Sequence, residues 1–286
     1  MSREESNIQS IAQRRLFVNN GVQLAYYDSH PEDGGAADGI ESTVVLLHGY
    51  CGCSSYWEPV LDELERSVRV IAPDVRGHGL SSAPEDDFYT MELYSEDVAS
   101  MLIQLQIHNA VLLGHSLGGY ITLALAEKYD KKLSGFGLIH STPLPDGDAA
   151  RQNRDKAVAA LQADGVEAFV RGLVPKLFAE EHLDSMKDEV ERAIRIGIGT
   201  SLQGAIGTAK GMKARPDRSH VIERSTLPVL LVAGEKDRLI SKESTFAAGN
   251  GATERVELGG AGHMGMIERP KEMAETILRF VKKVRG

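Results

Sequence analysis

The sequence has few of the residues that staple or anchor a chain. Cysteine occurs twice in 286 residues, as Cys51 and Cys53. Thiols that close in sequence cannot form an ordinary disulfide, and two are too few for a metal framework, so a reducing, cytoplasmic setting is expected. No run of five or more Lys or Arg is present, and 41 acidic residues against 32 basic ones give a net charge of −9. A chain of that sign lacks the positive field that nucleic-acid phosphates or anionic lipids require, which argues against nucleic acid and membrane as partners. Long hydrophobic runs are missing too. Val44–Leu47 and Val229–Ala233 fall far short of the roughly 20 residues of a membrane-spanning helix. Met1–Ser10 is polar, with two Glu and no apolar stretch of the kind a secretory leader carries.

What is present is a globular composition, 42% hydrophobic and 26% charged, with enough apolar material for a sizeable core. The length would allow two domains of about 150 residues, but α/β folds of this size often form one core with an insertion. Met1–Gln13 reads as a disordered tail, polar and without a sustained period. Leu16–Val18 and Gly21–Tyr27, joined through Asn19-Asn20-Gly21, read as a β-hairpin with Asn-Gly turn chemistry. Pro31–Ser42 reads as a solvated loop. Beyond it, short runs rich in Val, Leu and Ile (Thr43–Leu47, Val68–Ala72, Ala110–Leu113, Gly135–Ile139, Val229–Ala233 and Glu254–Leu258) alternate mostly with helical patterns. Strands apolar on both faces and separated by helices predict a mostly parallel α/β sheet covered on both sides.

One separation is too long for a simple crossover. Between Ile139 and Val229 no convincing strand occurs, and Ala149–Ala163, Val166–Phe178 and Lys187–Ile196 carry helical spacing. This predicts a helical cap over 143–226, inserted between core segments 14–142 and 227–286. The cap holds equal numbers of acids and bases, so the negative charge resides on the core and predicts weak attraction for anionic substrates at the core surface. Its aromatics are only Phe169 and Phe178, so a pocket beneath it is expected to be chiefly aliphatic unless the core supplies rings. Gly204, Gly207 and Gly211 recur at helical spacing. Given the helix cost of glycine, they read as a close-packing face or a loose turn in preference to a hinge that opens the cap.

The strongest chemical signal is Gly114-His115-Ser116-Leu117-Gly118, directly after an apolar strand and before the helical run Tyr120–Lys128. A serine at a sharp strand-to-helix turn sits in a strained backbone, and the small flanking residues let adjoining chains approach. Its hydroxyl is presented at a helix N-terminus, where unpaired N–H groups favour a developing anion. A free hydroxyl is a weak nucleophile and needs a base. His115 is adjacent but points elsewhere at such a turn, and reads as a packed structural histidine. His263, in Gly259-Gly260-Ala261-Gly262-His263 after the last predicted strand, is the better base. Asp237, just past the strand Val229–Ala233, is placed to orient it, with Glu235 as the nearby rival. The loop His48-Gly49-Tyr50 after another central strand supplies a backbone N–H at Tyr50, which joins that of Leu117 as an oxyanion donor. His48 reads as a brace for that loop.

The set His48-Gly49-Tyr50, Asp74-Val75-Arg76-Gly77-His78-Gly79-Leu80-Ser81, Gly114–Gly119, Gly234-Glu235-Lys236-Asp237 and Gly262-His263 resembles the capped α/β-hydrolase superfamily, in family order over most of the chain. The resemblance implies an eight-stranded, mostly parallel twisted sheet with helices on both faces and a helical lid after the sixth strand. It also implies a catalytic triad of Ser116, Asp237 and His263 with oxyanion donors Tyr50 and Leu117. The Asp74–Ser81 motif reads as structural, and Arg76 and His78 are not expected to be catalytic. Relatives that open epoxides or displace halide carry a carboxylate where this chain has Ser116, so acyl transfer to water is favoured.

The expected activity is hydrolysis of a small to medium carboxylic ester through an acyl-enzyme. Lactone opening, carbon–carbon bond hydrolysis and perhydrolysis by the same triad are alternatives, as is a receptor-like fold with little turnover. Tyr50 and Met264 are the candidate substrate contacts, with Leu117, Trp57 and Met266 as further candidates for the pocket wall; a lone Trp at a helix start is more often core. A carboxylate-bearing substrate would call for an inward-facing cap Arg such as Arg171 or Arg192. Cys51, Cys53 and His48 are too crowded on one turn to complete a zinc tetrahedron, so neither metal nor cofactor is expected and the partner is a small-molecule substrate.

Overall fold

The computed structural model describes residues 10–30 and 42–286. Nearly all of the predicted loop at Pro31–Ser42 and the first nine residues of the predicted tail lie outside them. The rest of that tail behaves differently from expectation. Ser10 donates from Oγ to Asp74 Oδ2 (2.7 Å), Ile11 N–H to Ser55 Oγ (2.9 Å) and Gln13 N–H to Tyr26 O (3.2 Å). Long-range partners, which a local pattern does not reveal, hold it to the core.

Eight strands form one sheet: β1 (Arg14–Phe17), β2 (Gln23–Asp28), β3 (Thr43–Leu47), β4 (Arg69–Pro73), β5 (Ala110–His115), β6 (Leu133–Ile139), β7 (Val229–Gly234) and β8 (Thr253–Leu258). Their spatial order is β1-β2-β4-β3-β5-β6-β7-β8. β2 runs antiparallel to β1 and β4, and every other pairing is parallel. The helices are α1 (Glu58–Leu64), α2 (Met91–Gln104), α3 (Leu117–Tyr129), α4 (Asp148–Leu173), α5 (His182–Ser185), α6 (Lys187–Ile198), α7 (Leu202–Ala214), α8 (Ser219–Glu223), α9 (Lys242–Thr245), α10 (Gly265–Glu268) and α11 (Pro270–Arg285).

The period-two alternation of strand side chains divides the core in two. Val44 and Leu46 of β3 point into a cluster with Leu64 of α1 and Phe280 of α11, while Val45 and Leu47 point into a cluster with Met101 of α2 and Ile121 of α3. Both faces of the sheet are therefore buried, which explains why the central strands read as unbroken apolar runs. In the parallel strands β3, β5, β6, β7 and β8 all C-terminal ends lie at one edge, where α/β sheets bind ligands.

The chain between β6 and β7 is helical wherever it is regular. The two helices predicted over Ala149–Phe178 are one run to Leu173, broken at Gly165 (φ 77°, ψ 178°) and followed by a short 3-10 turn, Val174–Leu177. The glycine-rich stretch contains α7, capped by Ser201 Oγ accepting from Gly204 N–H (2.9 Å). A Cβ at Gly204 would collide with Gly77 O and one at Gly211 with Tyr89 O. The glycines thus form a close-packing face that seats the insertion on the core.

Candidate active site

Ser116 stands between the last residue of β5 and the first of α3, with φ 51° and ψ −110°. Neighbouring glycines make that backbone possible: a Cβ at Gly114 would run into the Gly118 carbonyl, and one at Gly118 into Leu47 O. The turn is held by Ser116 N–H donating to Ile139 O (2.9 Å) and by Ser141 Oγ donating to Ser116 O (2.7 Å). Leu117 opens the helix, where first-turn N–H groups have no intrahelical acceptor.

Asp237 lies in the loop after β7, and its side chain is shielded from solvent. Its Oδ1 accepts from the N–H groups of Leu239 (2.9 Å) and Ile240 (3.1 Å), and its Oδ2 from His263 Nδ1 at 2.7 Å. Burial alone would raise the proton affinity of this carboxyl. The charge of His263, the nearby His140 imidazole and the hydrogen bond from His263 outweigh it and hold the group well below the usual carboxylate range. Glu235, the rival acid, has a half-exposed side chain and accepts from Gly260 N–H instead (2.7 Å). His263 is placed from below by its own N–H on Leu177 O (2.7 Å) and by His115 Nε2, which donates to His263 O (2.8 Å). That bond leaves His115 buried, with its proton affinity depressed first by burial and then by His263 and His140.

His140 was not foreseen. It follows β6 with φ 48°, is fully buried, and brings Nδ1 to 3.5 Å from Asp237 Oδ2. The only sequence signal was a polar residue in the loop after a strand of the same edge. Among the described residues, His140, Asp237 and His263 form the one set of His, Cys, Asp or Glu side chains whose ligand atoms gather within 4.8 Å; Cys51, Cys53 and His48 form no such set. Burial pushes both thiols up to about 12. His48 accepts Val75 N–H at Nε2 (2.9 Å) and is pushed down to about 4 by burial, so it braces the Tyr50 loop against the Asp74 motif. Gly49 permits that loop to pack on the Ser116 turn, since a Cβ there would lie 2.6 Å from His115 Nδ1. In the Asp74 motif, Asp74 accepts Ser54 N–H and Leu80 N–H (2.8 Å each), and Arg76 is bound through two nitrogens by buried Asp97.

A cavity of about 350 Å³ opens over these groups, with Ser116, His263 and Tyr50 in its wall. Among the described residues no hydrogen bond joins Ser116 Oγ to His263 Nε2; catalytic contacts of this kind often tighten only around bound substrate. Met264 does not line the cavity. It is fully buried in the core, because its N–H is tied to Glu268 Oε2 (3.1 Å) and the chain turns there into α10. Leu117, Trp57 and Met266 are buried core side chains as well. The cavity wall is mostly apolar, with Leu144, Leu173, Leu177, Met212, Leu239 and Ile240, but it also carries rings and charged groups. The core supplies Tyr50, Tyr56 and Tyr120, and the insertion supplies Asp146, Asn153, Arg154 and Arg215. Arg171 and Arg192 face elsewhere, paired with Glu167 and Glu58.

Residues 44–276 match the alpha/beta hydrolase family. The chain belongs to that family. It is 31% identical over 205 residues to the 2-(acetamidomethylene)succinate hydrolase of Mesorhizobium japonicum, covering 69% of this chain and 72% of that one. It is 29% identical to the sn-1-specific diacylglycerol lipase of Xenopus laevis, covering 84% and 79%. A thermophilic esterase from Thermogutta terrifontis, solved with malate bound, superposes with a TM-score of 0.87 at 26% identity, covering 96% of this chain and all of that one. The eight-stranded, mostly parallel sheet is the α/β-hydrolase fold, and no helix among the described residues is long and apolar enough to cross a membrane.

Proposed function

We propose that this α/β hydrolase cleaves a small to medium carboxylic ester through an acyl-enzyme on Ser116. The observation that carries the reading is the shared cavity wall: Ser116, strained at a strand-to-helix turn, faces the same space as His263, whose far nitrogen is bound by Asp237. His263 takes the Ser116 proton as Oγ attacks the ester carbonyl, and Asp237 fixes the tautomer and stabilises the imidazolium. The N–H groups of Tyr50 and Leu117 receive the oxyanion. The alcohol departs with the proton from His263. Water activated by the same imidazole then attacks the acyl carbon, releasing the acid and restoring Ser116. The insertion over 143–226 acts as the lid of the site and selects the substrate, and membership of the alpha/beta hydrolase family supports a hydrolytic reaction.

The test is Ser116→Ala on a short-chain p-nitrophenyl ester. Turnover is expected to fall by about 10³-fold or more, and a fluorophosphonate probe is expected to label the native protein at Ser116 and leave the variant unlabelled. Undiminished turnover in the variant overturns the reading. A panel of ester, lactone and amide then separates ester cleavage from lactone opening, and failure on all three with no probe labelling points to a binding protein.

A further inference from the structure

The part of the cavity furthest from expectation is its charge. Two guanidinium groups and one carboxylate, Arg154, Arg215 and Asp146, enter its lining from the insertion. The two cations are used differently. Arg215 is nearly inaccessible: Nη1 donates to Asp146 Oδ1 (2.6 Å) and Met212 O (2.9 Å), Nη2 to Leu144 O (3.1 Å), and its guanidinium carbon lies 3.9 Å from the centre of the Tyr120 ring. Its two Nη donors are turned toward protein and its buried Nε has no partner among the described residues, so its role is to hold Asp146 and the start of the insertion. Arg154 spends only Nε, on Asp146 Oδ2 (3.0 Å), and its side chain keeps 26% of its surface accessible. Among the described residues neither of its Nη atoms has a protein acceptor.

One carboxylate shared by two permanent cations leaves the lid side of this cavity with an excess positive charge. The other titratable groups in the wall do not cancel it: His115 is held neutral by burial, and the Asp237 charge faces His263 and His140 at the base of the site, outside the cavity lining. A guanidinium with its terminal nitrogens free offers two parallel N–H donors, a geometry that matches the two oxygens of a carboxylate. In a half-enclosed cavity such a pair is screened less than at a surface.

We propose that Arg154 is a carboxylate-binding residue and that the natural substrate carries a free carboxylate besides the carbonyl attacked by Ser116. This rests on the reading of Ser116 as nucleophile and names the substrate class for that site. The carboxylate takes no part in bond making: one water is consumed, the ester C–O bond is cleaved, and the bound anion leaves unchanged on one of the two products. The overall charge of −9 is a sum over the whole chain and does not describe this interior.

The experiment compares matched substrates. One arm uses mono-p-nitrophenyl esters of succinic, glutaric and adipic acids against p-nitrophenyl butanoate, pentanoate and hexanoate. A second arm uses O-acetyl hydroxy acids against their methyl esters, placing the carboxylate on the alcohol side. Native protein is expected to prefer the anionic member in at least one arm. Arg154→Gln is expected to lose about 10- to 100-fold in kcat/KM on that substrate, the worth of a charge-assisted pair, while changing less than about 3-fold on its neutral counterpart, which also shows that the variant is folded. Arg154→Lys, with charge but no fork, is expected to fall between. Free glutarate is expected to compete with the neutral ester in native protein and to lose that effect in Arg154→Gln. No anionic preference in either arm, or an equal loss on charged and neutral esters, overturns the proposal. Hydrolysis of the neutral esters that disappears in Ser116→Ala keeps the nucleophile reading intact in that event, and its absence counts against that reading instead.

Discussion

His140 and His263 share one carboxylate oxygen: Asp237 Oδ2 lies 2.7 Å from Nδ1 of His263 and 3.5 Å from Nδ1 of His140. With two backbone N–H groups on Oδ1, the anion meets a donor or an imidazole on every side. Asp237 is therefore fixed in position as well as in charge, and the orientation of His263 depends on it. Replacing Asp237 with Asn keeps the shape but presents an amide where the imidazole needs an acceptor. Turnover of a short-chain p-nitrophenyl ester is expected to fall by about 10³- to 10⁴-fold, with KM little changed. A loss under 10-fold in steady-state kinetics would show that another group orients His263.

His140 acts through Asp237 and is a positioning residue. His140→Ala is expected to lower kcat by about 5-fold, the worth of about 1 kcal/mol of polar contact with the carboxylate, and to leave KM unchanged. His140→Asn, which tolerates φ 48° and keeps a donor, is expected to recover most of the loss. An equal loss in both variants counts against a polar contact with Asp237.

Acid should destabilise the fold in two stages. His48, His78, His115 and His140 all have their proton affinities lowered, in each case chiefly by burial, His48 to about 4 and His78 to about 3. An unfolded imidazole titrates near ~6.5. Below that pH the unfolded chain binds protons that the folded chain refuses, so stability falls as pH falls, by about 1.4 kcal/mol per pH unit for each group. For His48 the window runs from ~6.5 down to about 4. Asp237, whose affinity is depressed in the fold, contributes fully above about pH 4 and loses its contribution only below it. The midpoint of urea unfolding is expected to drop steeply between pH 7 and pH 5, and His48→Asn to make the slope shallower. A flat profile over that range would falsify the assignment of these rings as neutral.

Two glycine-to-alanine changes in the insertion should have opposite signs. Gly172 in α4 has open space around it, and Ala there is expected to stabilise by about 0.5–1 kcal/mol through helix propensity. Gly204 in α7 touches the backbone of Gly77, and Ala there is expected to destabilise by about 1–3 kcal/mol despite the same gain in propensity. Thermal unfolding of both variants checks the pair; a raised Tm for Gly204→Ala would mean that the two backbones can separate at little cost.

The sheet was legible because its central strands are buried on both faces and so read as short apolar runs. Ser116, Asp237 and His263 were legible because each follows such a run, and parallel strands carry their C-terminal ends to one edge. Residues whose roles depend on distant partners were not. Asp146 and Arg215 meet across 69 positions of sequence, and no periodicity reports on such a pair. Counting aromatics in the insertion missed the polarity of the cavity for the same reason. Met264 was misplaced because adjacency to His263 says nothing about direction where the chain turns. The helix α7 was obscured by its glycines, which cost helix propensity and return it as close packing against Gly77 and Tyr89.

Buried Glu268 joins three segments. Its Oε1 accepts Ala179 N–H (2.7 Å) and faces His182 Nδ1 (2.8 Å), while its Oε2 accepts Met264 N–H. With His263 N–H on Leu177 O, this clamp makes the strip from Leu177 to His182 and the loop of His263 one mechanical piece. The segment between β6 and β7 is therefore tied to the sheet edge beside His263 by a buried carboxylate and a backbone hydrogen bond. A change at Glu268 would thus loosen both strips together, from a position outside the cavity wall.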